Sequence, residues 1–165
     1  MLIILGGLPG VGKTTIAKAL AKQLKAVYLR VDTVEQVLKD VANLDGPEGY
    51  MVCWAQATEN LKLGLTVIAD SVNSIKITRD AWKNVAIKAS VLFVEVELIC
   101  TNIDEHKKRV ETREADIPGQ KLPQWKGVME RTYEPWMSKH LVFDTSKQTA
   151  DEVIQSIMKH LNKAS

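Results

Sequence analysis

Sulfur is sparse in this chain. Cys53 and Cys100 are its two cysteines. They stand in unrelated contexts and form no C-x-x-C or metal-binding pattern, so they read as buried reduced thiols rather than as a disulfide framework or a zinc site. Histidine is equally thin: His106, His140 and His160 show no metal-ligand spacing and read as surface or core. No apolar run approaches the ~18 residues that a membrane span needs. No basic segment with a cleavage site precedes the first strand, which leads to the expectation of a cytoplasmic protein without a secretory signal. Charge is nearly balanced at +2, and so implies no broad attraction to nucleic acid or membrane. Internal repeats and low-complexity segments are missing too. With 165 residues, 45% hydrophobic and 25% charged, the chain reads as one domain, 1–165, long enough to bury a proper core.

What is present is concentrated near the start. Gly6 to Thr15 contains the phosphate-loop pattern G-x-x-x-x-G-K-[ST], read as Gly7, four residues, Gly12, Lys13 and Thr14. Met1 to Leu5 before it is a short apolar run that reads as a buried strand, and Ile16, Ala19, Leu20 and Leu24 after it fall at helical spacing. Strand, glycine loop and helix are the context the motif requires. The loop formed by Gly7, Leu8, Pro9, Gly10, Val11, Gly12, Lys13, Thr14 and Thr15 would cradle phosphate oxygens with its backbone N–H groups, its glycines allowing close approach. The helix N-terminus adds positive charge there. Lys13 should reach the β and γ phosphates of ATP, and the Thr14 hydroxyl should bind Mg²⁺.

The rest of the chain alternates. Ala26 to Val31, Leu65 to Ala69, Val91 to Cys100 and Leu141 to Phe143 read as further strands. Helical spacing marks segments around Val34–Val41, Met51–Leu61, Ala81–Ala86, Asp104–Glu114 and Trp125–Tyr133, with Gly64 closing the second of these. Thr149-x-x-Glu152 caps a last helix that carries Val153, Ile154, Ile157, Met158 and Leu161 on one face. Five strands alternating with helices predict an α/β fold, a five-stranded parallel sheet with right-handed crossovers and helices on both faces. Glu95 and Glu97 share one face of the longest strand, leaving it less apolar than a fully covered strand should be. Asp45 to Gly49 and Ala115 to Gln124 read as loops.

Ligands in such sheets bind beyond the carboxyl ends of the strands, which draws attention to the residues that end them. Asp32, after the second strand, can accept the proton of a substrate hydroxyl. Asp32 with Glu35 three residues on, or Thr33 with Gln36, also makes a good helix N-cap, and both roles of Asp32 stay open. Asp70 ends a strand in the manner of a Walker-B aspartate that holds Mg²⁺ directly or through water. Arg109 and Arg113 share a helix face that runs into the Pro/Gly loop, which suits a lid over about 109–131 closing on a triphosphate. Trp125, Tyr133 and Trp136 are candidates for a pocket wall or for packing. Glu35, Tyr50, Trp54, Asn73 and Arg79 are candidates for shaping an acceptor pocket.

These segments together carry a resemblance. The loop at Gly6 to Thr15, Tyr28-Leu29-Arg30-Val31-Asp32-Thr33, Val67 to Asn73, His106 to Arg113 and Tyr133-Glu134-Pro135-Trp136 resemble the small bacterial kinases often labelled AAA-family ATPases. That group is similar to adenylylsulfate kinase, chloramphenicol phosphotransferase and the kinase domain of polynucleotide kinase. The resemblance implies an adenylate-kinase-like P-loop core with a lid. It implies a catalytic role for Asp32, and it places Arg109 against adenine and Arg113 against phosphate. Glu35 stands where polynucleotide kinases carry an arginine that engages the acceptor phosphate, so a nucleic-acid acceptor is not expected.

The reading that results is an ATP- and Mg²⁺-dependent phosphotransferase for a hydroxyl of a small molecule. Lys13, Asp32 and Arg113 would be catalytic, the loop and Arg109 would bind nucleotide, and Thr14 and Asp70 would place the metal. The alternatives are an ATPase switch with a protein partner and a polynucleotide 5′-hydroxyl kinase, which would need a basic groove. No N-K-x-D signature is present and Asp70-Ser71-Val72-Asn73 is not D-x-x-G, so a GTPase is not expected.

Overall fold

The fold is built around one central strand. In the computed structural model, which describes residues 1–164, β1 (Leu2–Gly6) is buried at every position. That agrees with its unbroken apolar run, since a strand covered on both faces has no polar side to show. Along the chain follow α1 (Lys13–Leu24), β2 (Val27–Arg30), α2 (Val31–Ala42), α3 (Glu48–Lys62), β3 (Val67–Asp70) and α4 (Lys76–Lys88). Then come β4 (Phe93–Ile99), α5 (Ile103–Thr112), α6 (Trp125–Met129), β5 (Leu141–Asp144) and α7 (Ala150–Ala164). All strand pairs are parallel, in the order β2-β3-β1-β4-β5. The α/β fold with helices on both faces is therefore as expected.

Alternation along the strands divides the apolar residues between two cores. Ile3, Leu5, Ile68, Val96 and Leu98 meet α1 and α7 through Ile16, Leu20, Val153 and Ile157. Leu2, Ile4, Val67 and Ala69 meet α3 and α4 through Cys53, Ala57, Leu61, Trp82 and Val85. Each core buries a dozen or so apolar side chains at roughly 25 cal/mol per Å² removed from water. The capping box forms as read: Glu152 N–H donates to Thr149 Oγ1 (3.3 Å) and Thr149 N–H donates to Glu152 Oε2 (2.8 Å).

Register sets the functional edge. Leu5 lies opposite Asp70, and Arg30 lies opposite Asp70 on its other side. The three chain segments after β1, β2 and β3 therefore leave the sheet at one level.

Three local expectations need correction. α2 begins at Val31 with Arg30 as its cap, so Asp32 lies inside the first turn and caps nothing with its side chain. It still sits where the helix N-terminus favours negative charge. α3 begins at Glu48, so Gly49 belongs to a helix rather than to the preceding loop. α6 ends at Met129, and the chain from Arg131 to His140 is an irregular strap.

That strap accounts for the two glutamates of β4. Glu95 and Glu97 are in register with Ile4 and Gly6, and the strap covers them. Ser138 Oγ donates to Glu95 Oε2 (2.6 Å), Tyr133 OH donates to Glu97 Oε1 (2.9 Å), and His140 Nε2 donates to Glu97 Oε2 (3.0 Å). Trp136 Nε1 donates to Tyr133 OH (2.9 Å), and its indole lies against Gly6 so closely that a Cβ there would sit 2.3 Å from the ring. Arg79, buried in α4, stacks on Trp136 at 5.0 Å and donates to the Asn73 and Pro135 carbonyls (2.9 and 3.0 Å). Glu95 Oε1 is left with Lys83 Nζ at 3.8 Å, and the remaining hydrogen bonds of this network hold the segment in place.

The indole at Gly6 generates a double-mutant test. Trp136→Ala should cost about 3–5 kcal/mol in denaturant unfolding. Gly6→Ala should cost about 1–3 kcal/mol alone and distinctly less in the Trp136→Ala background, because the overlap is gone. Additive losses would show that the two positions do not press on each other.

Candidate functional site

The glycine loop after β1 is shaped by what surrounds it. Gly7 has φ +138, and a Cβ there would lie 2.2 Å from the Leu98 carbonyl oxygen, so no other residue fits. Gly7 N–H donates to the Val72 carbonyl (3.0 Å), tying the loop to the segment after β3. On the outer side, His106 of α5 donates from Nε2 to the Pro9 carbonyl (2.8 Å), and Trp125 packs edge-on against the His106 ring. His106 is thus core, as one of its two sequence readings had it, but core that braces the loop. Gly12 caps α1, whose N-terminus opens on the loop.

Lys13 and Thr14 follow. Lys13 is 8% exposed and donates from Nζ to the Leu8 carbonyl (3.0 Å). Burial pushes its ammonium down to about 8, Asp70 and Asp32 pull the other way, and Arg113 and Arg131 add to the lowering. Thr14 Oγ1 donates to Asp70 Oδ2 (2.8 Å), and Tyr28 OH donates to the same oxygen (2.7 Å). Asp70 is 2% exposed. A buried carboxylate beside a threonine hydroxyl at the edge of a phosphate loop is an all-oxygen donor set, the chemistry that hard cations such as Mg²⁺ take. Tyr28 is a residue the sequence reading missed. Burial, then the Asp70 charge, holds its phenol well above its usual range, so it stays a donor.

One cavity of about 1390 Å³ opens on Lys13 and Thr14, while Asp70 and Tyr28 are not among its lining residues. Roughly 300–1,000 Å³ serves a single small ligand, so this one has room for two. Pro9 to Ile16 form its floor, and Asp32, Glu35, Arg109, Arg113 and Arg131 all reach it. At one end, Arg109 donates to Thr145 Oγ1 and the Thr145 carbonyl (2.9 and 2.8 Å) and pairs with Glu105, beside Ser146 to Ala150. At the other end stand α2, Tyr50 and the Val72–Thr78 segment. Arg113 caps α5. Its Nε is buried without a hydrogen-bond partner among the described residues, and burial pulls its guanidinium below the usual value while Asp32 opposes.

Residues 114, 116 and 119–123 form the remaining wall. Asp116 accepts from Lys18 Nζ and Arg30 Nη1, both at 2.8 Å, and these two hold its carboxyl well below the usual carboxylate range. Ile117 is buried, so the segment is anchored by one apolar and one ionic contact. No sequence signal marks Asp116; its partners lie far away in the chain.

The acceptor candidates divide. Glu35 and Tyr50 line the cavity, whereas Trp54, Asn73 and Arg79 do not. Asn73 is fully buried and donates from Nδ2 to the Leu5 carbonyl (2.7 Å), and Trp54 packs edge-on against Trp82. Trp125, Tyr133 and Trp136 likewise pack and hydrogen-bond rather than line the cavity. Burial, then Asp32 and Asp45, pushes the Glu35 carboxyl up to about 7, with Arg131 opposing.

The family described as AAA domain matches residues 2–132. No curated protein sequence matches the chain. Among solved structures, the Mycobacterium tuberculosis APS kinase in complex with AMPPNP and APS is similar, with 18% identity, 98% of this chain and 96% of that one covered, and a TM-score of 0.74. Chaetomium thermophilum Kti12 in complex with ADP-AlF3 is similar at 22% identity, with 96% and 98% covered and a TM-score of 0.73. A gluconokinase from Sinorhizobium meliloti 1021 is similar at 16% identity, with 98% and 91% covered and a TM-score of 0.66. At these identities the likeness is one of fold, a P-loop kinase fold with an adenylate-kinase-like core.

The raised Glu35 carboxyl has a measurable consequence. Between the ordinary 4.5 and about 7 the folded protein keeps a proton there that the unfolded chain has lost. The stability from that protonated side chain is present at the acid end and lost as pH rises through about 7. Glu35→Gln should therefore melt with the wild type near pH 5 and above it near pH 8. A melting difference that ignores pH would contradict the burial of this group.

Proposed function

The chain belongs to the AAA domain family, and from that premise we propose that it is an ATP- and Mg²⁺-dependent phosphotransferase acting on a hydroxyl of a small molecule in the cytoplasm. The observation that carries the proposal is the convergence on one cavity of Lys13, Thr14, Asp32, Arg113 and Arg131, with Asp70 hydrogen-bonded to Thr14 behind them. A phosphate-binding turn alone would need neither the carboxylate facing Lys13 nor room for a second ligand.

Each residue has a role that its position supports. The loop N–H groups and the α1 N-terminus bind the β and γ phosphates, and Lys13 neutralises charge on the transferring group. Thr14 and Asp70, the latter oriented by Tyr28, would hold Mg²⁺, which would supply positive charge to offset that of the phosphates. Arg109, beside Thr145 to Ala150, takes the base end. Asp32, one strand-end away from Asp70 and within electrostatic reach of Lys13, takes the proton of the acceptor hydroxyl. Arg113 and Arg131 approach Lys13 from the opposite wall and cover the developing charge. The wall over about 109–131 acts as a lid that excludes water when both substrates are bound. A polynucleotide acceptor is disfavoured, because Asp32, Glu35, Asp40 and Asp45 line the far end of the cavity.

Two measurements test the reading. ATP with Mg²⁺ should raise the melting temperature by mass action, and Lys13→Ala should abolish most of that rise while leaving the unliganded protein folded. No rise at millimolar ATP in the wild type would overturn nucleotide binding. Because Asp32 is not the helix cap, Asp32→Asn and Asp32→Ala should both melt within about 1 kcal/mol of wild type. Both should lose roughly 10²–10⁴-fold in acceptor-dependent ADP release. Near-normal turnover in either variant would move the base elsewhere.

A further inference from the structure

The far end of the cavity is built on one face of α2. Asp32, Glu35, Gln36, Lys39 and Asp40 follow the i, i+3, i+4, i+7, i+8 rule and all line it. Three of the five are already partnered. Gln36 Nε2 donates to Asp40 Oδ1 (2.8 Å), and Lys39 pairs with Asp45 (3.0 Å). Asp32 and Glu35 remain, one turn apart, with neither a hydrogen bond nor an ion pair to any described residue.

Glu35 is held in place rather than loose on the surface. A Cβ on Gly49 would lie 2.3 Å from Glu35 Cγ, so α3 carries glycine in its first turn where the Glu35 stem crosses its backbone. A half-buried carboxylate seated this closely, next to a second carboxylate, is costly until a positive charge joins it. Arg131 is exposed and also faces Lys13, so its charge is shared with the phosphate side.

Resting on the phosphotransferase reading above, we propose that the acceptor carries a protonated amine a few bonds from the hydroxyl that receives phosphate, as in an amino alcohol or an amino sugar, with the hydroxyl on Asp32 and the ammonium on Glu35. Residues three apart on a helix have Cβ atoms about 5–6 Å from each other, a separation that such a molecule bridges. In the transfer, the acceptor oxygen forms a bond to the γ-phosphorus. The bond from that phosphorus to the bridging oxygen breaks, its electron pair leaving with ADP. The hydroxyl proton passes to Asp32, and the ammonium keeps its protons and its charge. An anionic acceptor would meet two unpaired carboxylates, and a neutral polyol would leave Glu35 uncompensated.

The test compares matched probes on protein loaded with Mg²⁺ and the non-hydrolysable analogue AMPPNP. One set is 2-aminoethanol, ethylene glycol and glycolate; the other is glucosamine, glucose and gluconate. Titration calorimetry should show the amine binding at least tenfold more tightly than its neutral and anionic counterparts in at least one set. Glu35→Gln should weaken the amine by roughly ten- to a hundredfold, to the level of the neutral probe. The same variant should still show the AMPPNP-induced rise in melting temperature, which establishes that it is folded. Equal or tighter binding of the neutral or anionic probes, or no amine binding by nucleotide-loaded protein, overturns the inference and leaves the phosphotransferase reading in place. A protein that does not load AMPPNP at all overturns both.

Discussion

A buried ammonium sets the terms for the rest of the site. Lys13 is enclosed by the glycine loop, and enclosure alone would drive it toward the neutral amine, which is useless for neutralising phosphate. Asp70 and Asp32 offset that desolvation from the ends of the two strands next to β1 on one side, and they can do so because the β2, β3 and β1 register brings those ends to one level. The sheet therefore does more than support the loop. It supplies the negative charge that keeps the loop's cation charged, and the same two carboxylates are the groups suited to metal and proton.

Much of the remaining structure keeps that loop from moving. His106 braces it from α5, Val72 holds Gly7 from the β3 side, and the Trp136 indole fills the space beneath Gly6. Trp136 is itself held by Tyr133 and Arg79, and Tyr133 by Glu97. The two glutamates of β4 belong to this clamp, not to the solvent. A rigid floor of this sort suits a site in which positioning supplies most of the rate. The wall opposite is attached differently, through Asp116 to Lys18 and Arg30 and through Ile117. The Lys18–Asp116 pair is half-exposed, and such pairs are weak and easily exchanged with water, which suits the proposed lid.

The two ends of the cavity differ in charge for a local reason. The phosphate end gathers Lys13, Arg113 and loop N–H groups, while the α2 end presents carboxylates on one helical stripe. Opposite fields within one cavity would orient the proposed pair of substrates before any contact becomes specific.

The features legible in the chain itself were those with local causes. The phosphate loop, the start of α1 at Lys13, the Thr149–Glu152 capping box and the alternation of strands and helices each depend on neighbours within a few residues, where backbone sterics and periodicity act directly. Strand order is not local, and three features that the chain alone left unplaced trace to it or to packing. Tyr28 meets Asp70 because β2 lies beside β3. Glu95 and Glu97 looked out of place because the strap that satisfies them comes forty residues later. Asp32 had the composition of a cap, yet the helix starts at Val31, two residues before a cap at Asp32 would begin it, because Val31 is buried in the core beneath α2, which overrode the capping preference. The sequence by itself determined which chemistry the loop can hold. Tertiary structure decided what stands around it, because charge and hydrogen bonding act through space, and contacts between distant segments exist only once the sheet has brought their ends together.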